Sequence, residues 1–160
     1  TIPYMQNTQI LVVKKTSDIH SASDMTGKVL GAQNGSSGMI DFEEHPEVLK
    51  NRVKGGDADQ YQSVNEAIID LKNDRIDALL IDRVYADYYL TTEGIADEYD
   101  TIPSGFESES FAVGVRPADK KLLEALNQAF KELYQEGIFQ QISQKWFGED
   151  VATPEVKGQE

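Results

Sequence analysis

The sequence contains no cysteine. That excludes disulfides, thiolate catalysis and the zinc sites built on cysteine. Histidine is nearly as scarce: His20 lies in a polar stretch and His45 stands directly before Pro46, so both read as solvated surface residues. Basic residues are outnumbered, with 15 Lys and Arg against 28 Asp and Glu, for a formal net charge of −13 at pH 7. Such a chain is a poor partner for nucleic acid or an anionic membrane surface, because binding phosphates depends on Lys and Arg displacing counterions. No apolar run approaches the ~20 residues needed to span a bilayer. An initiator methionine and a basic-then-apolar leader are both lacking ahead of Thr1-Ile2-Pro3-Tyr4, which is expected of a chain that starts in the middle of something larger.

What remains is globular composition. With 160 residues, 39% hydrophobic and 27% charged, the chain has room for one ordinary domain or part of a larger one. Ile10-Leu11-Val12-Val13 is a continuous aliphatic run, the pattern of a strand buried on both faces. Further strands are expected at 28–32, near 59–61, at 76–81, around 101–102 and at 111–115. Between them fall one helical turn at 21–25, a helix from Met39 interrupted by Pro46, a helix opening at Ser63 and another from Asp82 to about Leu90. Ser63 with Glu66 three residues on is a capping-box signature. This alternation implies an α/β fold with a mostly parallel sheet and helices on both faces.

From Asp119 onward the pattern changes. Leu122, Leu126, Ala129, Phe130 and Leu133 form an apolar stripe, and Ile138, Phe139, Ile142, Trp146 and Phe147 mark a second helix beyond Gly137. At about 1.5–3 kcal/mol for each fully buried large side chain, that stripe has to be covered. It is either the last core helix of a self-contained domain or a helix whose partner surface lies outside this chain. The polar segment 149–160, with Pro154 and Gly158, is expected to be disordered.

Two places could hold a ligand. Gly35-Ser36-Ser37-Gly38 lies between a strand and a helix, where outward-pointing N–H groups and the helix dipole suit a carboxylate or phosphate. Simple N-capping by Ser36 or Ser37 explains the same residues. Asp82 closes the strand 76–81, the end at which open α/β sheets place ligands; a carboxylate there can hold an ammonium group or cap the following helix. Taken together, an anion-binding turn and an aspartate ending two strands of one sheet read as a site for a zwitterion. Catalytic and metal constellations are missing. Gly-Ser-Ser-Gly is not a nucleophile elbow, and Asp57-Ala58-Asp59 opens like a calcium loop but has Gln62 at the turn-glycine position and Ile68 at the closing position. No catalytic residue, metal or cofactor is expected.

The chain resembles the extracellular solute-binding proteins of polar amino-acid ABC importers. The matching segments, in order, are Pro3-Tyr4 with Ile10–Val13, Gly27–Ser37, Tyr61–Ala67, Arg75–Asp82, Phe111–Val115 and Gly137–Gly148. The resemblance implies two α/β lobes of the type II periplasmic-binding-protein kind that capture an L-amino acid between them for delivery to a membrane permease. By this likeness 1–8 and 107–111 are hinge segments, 9–106 is the second lobe and 112–148 is the C-terminal part of the first lobe. Most of the first lobe, with its carboxylate-binding arginine, is not in the sequence. Asp82 then corresponds to the ammonium-binding aspartate, Gly35, Ser36 and Ser37 to the carboxylate-binding turn, and Gln33 and Asn34 to contacts with a polar ligand side chain. The implied location is the extracellular face of a bacterial membrane, lipid-anchored, or the periplasm, with any signal or anchor outside this chain. Weak or no binding of free amino acids is expected of the chain alone, and the stripe within 119–147 is expected to pair with a second copy or to be mobile. The same fold also serves ligand-binding sensor domains of receptors and kinases and, more distantly, dehydratases, for which this chain offers no crevice histidine.

Overall fold

The computed structural model describes residues 1–159. Its strands are β1 (Met5–Asn7), β2 (Gln9–Lys14), β3 (Leu30–Gln33), β4 (Ala58–Tyr61), β5 (Ala78–Asp82), β6 (Tyr99–Pro103) and β7 (Glu109–Phe111). Its helices are α1 (Ser37–Glu44), α2 (Val64–Lys72), α3 (Arg83–Thr92), α4 (Lys120–Gln135), α5 (Ile138–Phe147) and α6 (Pro154–Lys157), with short 3-10 turns at Ala22–Met25, Lys54–Gly56 and Ala96–Glu98. The described chain divides into two units, one running from Thr8 to Glu107 and the other joining Thr1–Asn7 to the segment that begins at Ser108.

In the 8–107 unit five strands form one sheet in the order β4-β3-β5-β2-β6. β3 pairs parallel with β4 and β5, while β2 pairs antiparallel with β5 and β6. The sheet is therefore mixed: four strands run one way, as strand–helix alternation implies, and β2 runs against them. The apolar run in β2 could not reveal this, because a strand buried on both faces reads the same in either direction.

Side-chain parity divides the core into two layers. Leu11 and Val13 of β2, Leu30 and Ala32 of β3, and Ala78 and Leu80 of β5 pack with Met39 and Phe42 of α1. Ile10 and Val12, with Leu79 and Ile81, face the other way against Val64, Ala67, Ile68 and Leu71 of α2 and Ala86 and Leu90 of α3. Helix α2 begins with the full capping box, Ser63 Oγ accepting from the Glu66 amide and the Glu66 carboxylate accepting from the Ser63 amide.

In the other unit β1 and β7 form an antiparallel pair, Tyr4 stacks on Phe130 with ring centroids 4.7 Å apart, and the Ile2 amide donates to Asn127 Oδ1 at 2.9 Å. Helix α4 is strongly amphipathic, yet none of its residues is fully buried. An apolar hollow of about 220 Å³ lies among Tyr4, Phe130, Leu133, Phe139, Ile142 and Phe147, and Leu122, Ile142 and Trp146 are about half exposed.

The expectation of disorder over 149–160 is corrected for the described residues 149–159. Ala152 bridges to Met5, the Gln6 amide donates to the Val151 carbonyl at 2.7 Å, and Val151, Ala152, Thr153 and Val156 are buried. Thr153 caps α6 through the Val156 amide with Pro154 in the first turn, the N-terminal pattern that Thr-Pro encodes. Glu160 lies outside the described residues. Among those described, no helix is long and apolar enough to cross a membrane.

Candidate functional site

Strands β3 and β5 are parallel neighbours, so their carboxyl ends lie at the same edge of the sheet. From that edge the chain departs in opposite directions. β3 leads through α1, packed on one face, to β4 on one side; β5 leads through α3, packed on the other face, towards β6 on the far side of β2. The gap between the ends of β3 and β5 is thus the sheet's topological switch point, where doubly wound folds open a crevice.

The turn after β3 is built for that position. Gly35 takes φ +70°, and the Ser36 amide closes back on the Gln33 carbonyl. Ser36 is the N-cap of α1, its Oγ accepting from the Met39 amide at 3.2 Å. Ser37 opens the helix, where the dipole is most positive. The parity of β5 sends Asp82 to the same face as Ala78 and Leu80, the α1 side. Its carboxylate makes no cap for α3; instead Oδ1 lies 3.4 Å from Ser37 Oγ. The serine turn and the aspartate therefore converge, and the helix-capping alternative accounts for Ser36 but not for Asp82.

The remaining expected site residues are placed less centrally. Gln33 has the opposite parity to Ala32, and its amide donates to the Gln62 carbonyl at 3.2 Å. Asn34 and Gly35 are exposed at the tip of the turn, with the Asn34 amide bonded to the Tyr61 carbonyl.

One participant was missed by reading the sequence. Gln9 sits directly opposite Asp82 in the β2–β5 ladder and is 2% exposed. Its Nε2 donates to Asp82 Oδ1 at 2.6 Å and to Ser37 Oγ at 3.0 Å. The available signal was a polar residue heading an otherwise aliphatic buried strand. Gly38 makes room for it: a Cβ there would fall 2.6 Å from Gln9 Oε1. Among the described residues, no group of three or more His, Asp or Glu is arranged to hold a metal ion.

The switch point of this sheet thus carries a small polar cradle, with a carboxylate beside a hydroxyl-bearing helix start. The chain belongs to the bacterial extracellular solute-binding proteins, family 3, whose pattern matches residues 1–149. It is 36% identical over 151 residues to the ABC transporter arginine-binding protein 1 of Escherichia coli, covering 92% of this chain and 58% of that protein. It is 32% identical to the L-cystine-binding protein TcyJ of the same organism, covering 93% and 53%. Among solved structures, an ABC uptake transporter substrate-binding protein from Streptococcus pneumoniae with bound histidine is 61% identical with a TM-score of 0.85, covering 96% of this chain and 62% of that one. A polar amino acid ABC uptake transporter substrate-binding protein from Streptococcus thermophilus is 55% identical with a TM-score of 0.79, covering 99% and 60%. The chain thus spans a little over half the length of these curated relatives.

Proposed function

We propose that this chain supplies one half of an amino-acid site in a substrate-binding component of an ABC importer, which delivers an L-amino acid to a membrane permease. Asp82 takes the ammonium group, and the turn Gly35-Ser36-Ser37 at the start of α1 takes the carboxylate. Gln33 and Asn34 meet a polar ligand side chain. The observation that carries the reading is the approach of Ser37 Oγ to Asp82 Oδ1 at the switch point. Ammonium and carboxylate are both borne by the α-carbon of an amino acid, so an acceptor and a donor turn this close suit both at once. The family and the names of the relatives, which bind arginine, cystine and histidine, support the ligand class.

In this reading the protein works outside the cytoplasmic membrane, lipid-anchored or in the periplasm. A second copy of the chain covers the apolar face within 119–147, where Leu122, Ile138, Ile142 and Trp146 are exposed.

The test is an amide-resolved NMR titration of the full chain with L-histidine and L-arginine, carried to millimolar concentrations because a half-site binds weakly. Saturable shifts at residues 35–38 and 82, abolished by Asp82→Asn, are expected. Saturable shifts that leave residues 35–38 and 82 unmoved, or an unchanged response in Asp82→Asn, overturn the proposal.

A further inference from the structure

Gln9 is costly where it stands. It heads a strand whose next four residues are aliphatic and buried, and a buried amide is tolerated only when its polar atoms are bonded. An apolar residue would fill the same space without that demand. Its position makes sense through what it holds. One NH2 group forks between Asp82 Oδ1 at 2.6 Å and Ser37 Oγ at 3.0 Å, joining the start of α1 to the end of β5. Ser37 Oγ accepts from the amide and donates its own proton to Asp82 Oδ1 at 3.4 Å, closing a three-membered network.

Gln9 is itself held through its backbone and its packing. Its backbone carbonyl accepts from the buried Ser104 hydroxyl at 2.6 Å, its strand pairs with β5, and the Cβ-less Gly38 admits its amide. Gln9 is 2% exposed whereas Asp82 and Ser37 are only partly buried, so the fork reaches them from the core side while both keep some solvent-exposed surface.

We infer that Gln9 is a positioning residue for the amino-acid site: its side-chain amide sets the carboxylate of Asp82 and the hydroxyl of Ser37 in the relative orientation that receives a zwitterion. The inference rests on the proposed amino-acid reading for what the pair receives, but the positioning itself is measurable without ligand.

The experiment uses the full chain labelled with 13C and 15N. Gln9→Met keeps the length of the side chain and removes the donor. Gln9→Glu keeps the shape, removes the donor and adds a like charge. Without ligand, both variants are expected to move the Asp82 side-chain carboxyl resonance and the amides of residues 36–38, while the amides of β2 and β5 stay protected from exchange. With L-histidine, Gln9→Met is expected to weaken binding at least fivefold, and to weaken imidazolepropionate, which keeps the carboxylate but lacks the ammonium group, by a smaller factor. In Gln9→Glu, affinity is expected to return as pH is lowered until the two carboxylates share a proton, a pH profile that a merely structural glutamine would not produce. If Gln9→Met does not fold, the decision passes to Gln9→Glu. Unmoved Asp82 and Ser37 resonances in a folded variant overturn the positioning role, whether or not any ligand binds. Moved resonances in a chain whose response to amino acids bypasses residues 35–38 and 82 sustain the positioning and reject the amino-acid reading.

Discussion

Replacing Gly38 with alanine places a methyl group 2.6 Å from Gln9 Oε1, 3.2 Å from Gln9 Cδ and 3.3 Å from Leu80 Cγ. The nearest atom ends a side chain that could ordinarily swing aside. Here it cannot do so cheaply, because the same amide is buried and bonded to Asp82 and Ser37. Forcing a methyl into a packed interior costs about 1–3 kcal/mol. Moving the amide away instead gives up a hydrogen bond to a charged group, about 1.5–3 kcal/mol. Against this, alanine gains at most about 1 kcal/mol of helix propensity over glycine, and less in a first turn. The expected net loss is about 1–3 kcal/mol, read as a urea midpoint lowered on the order of 1 M at ordinary slopes. Repeating the change in a Gln9→Ala background isolates the cause: with the obstructing side chain gone, Gly38→Ala should cost at least about 1 kcal/mol less. An equal cost in both backgrounds, or a neutral single variant, would refute the packing argument.

Three further outcomes are expected. Ser63→Ala removes the capping hydroxyl of α2 and should cost about 1 kcal/mol in urea unfolding, whereas a loss below ~0.3 kcal/mol would mean that the box contributes little. Asp150 is part-buried, which opposes its charge, but the Ala152 amide, Lys157 and the Tyr134 hydroxyl outweigh that and hold its carboxyl below the ordinary value. A depressed folded-state value means this contribution is present above the unfolded value near 3.8 and is lost as pH falls through the folded one. Amide exchange across 151–157 should therefore accelerate below that range, after correction for intrinsic rates, and a flat profile would contradict the role. Sedimentation should show the wild-type chain self-associating, and Leu122→Glu with Ile142→Glu should shift it to monomer; a wild-type monomer with strongly protected α4 amides would count against a second copy on that face.

Much of the site's frame was legible because its signals are local. The Ser63–Glu66 spacing reports a capping box wherever it occurs, and a glycine–serine turn after a strand announces a helix start. Asp82 was found as a charged residue ending an apolar run. What the sequence could not supply was direction and pairing. Nothing in Ile10–Val13 says that β2 runs against its neighbours, and so nothing placed Gln9 opposite Asp82. Once the ladder is known, parity does the rest: it turns Asp82 away from α3 towards the serine turn and sends Gln33 to the other face. The C-terminal segment was misjudged on bulk polarity, although Thr153-Pro154 carried a readable helix start and its few apolar residues had a surface to bury against.

The reversed strand β2 has a consequence for assembly of the sheet. Gln9 meets Asp82 at a separation of 73 residues and Ser104 at 95, and β2 has ladder partners only in β5 and β6. The βαβ modules that follow can close locally, but β2 must wait for both distant strands before its backbone is satisfied. Such long loop closures slow folding. During synthesis, Ile10–Val13 emerges ahead of the other four strands of its sheet yet pairs with the two made later, so an interior strand of the finished sheet is the segment exposed longest to self-pairing.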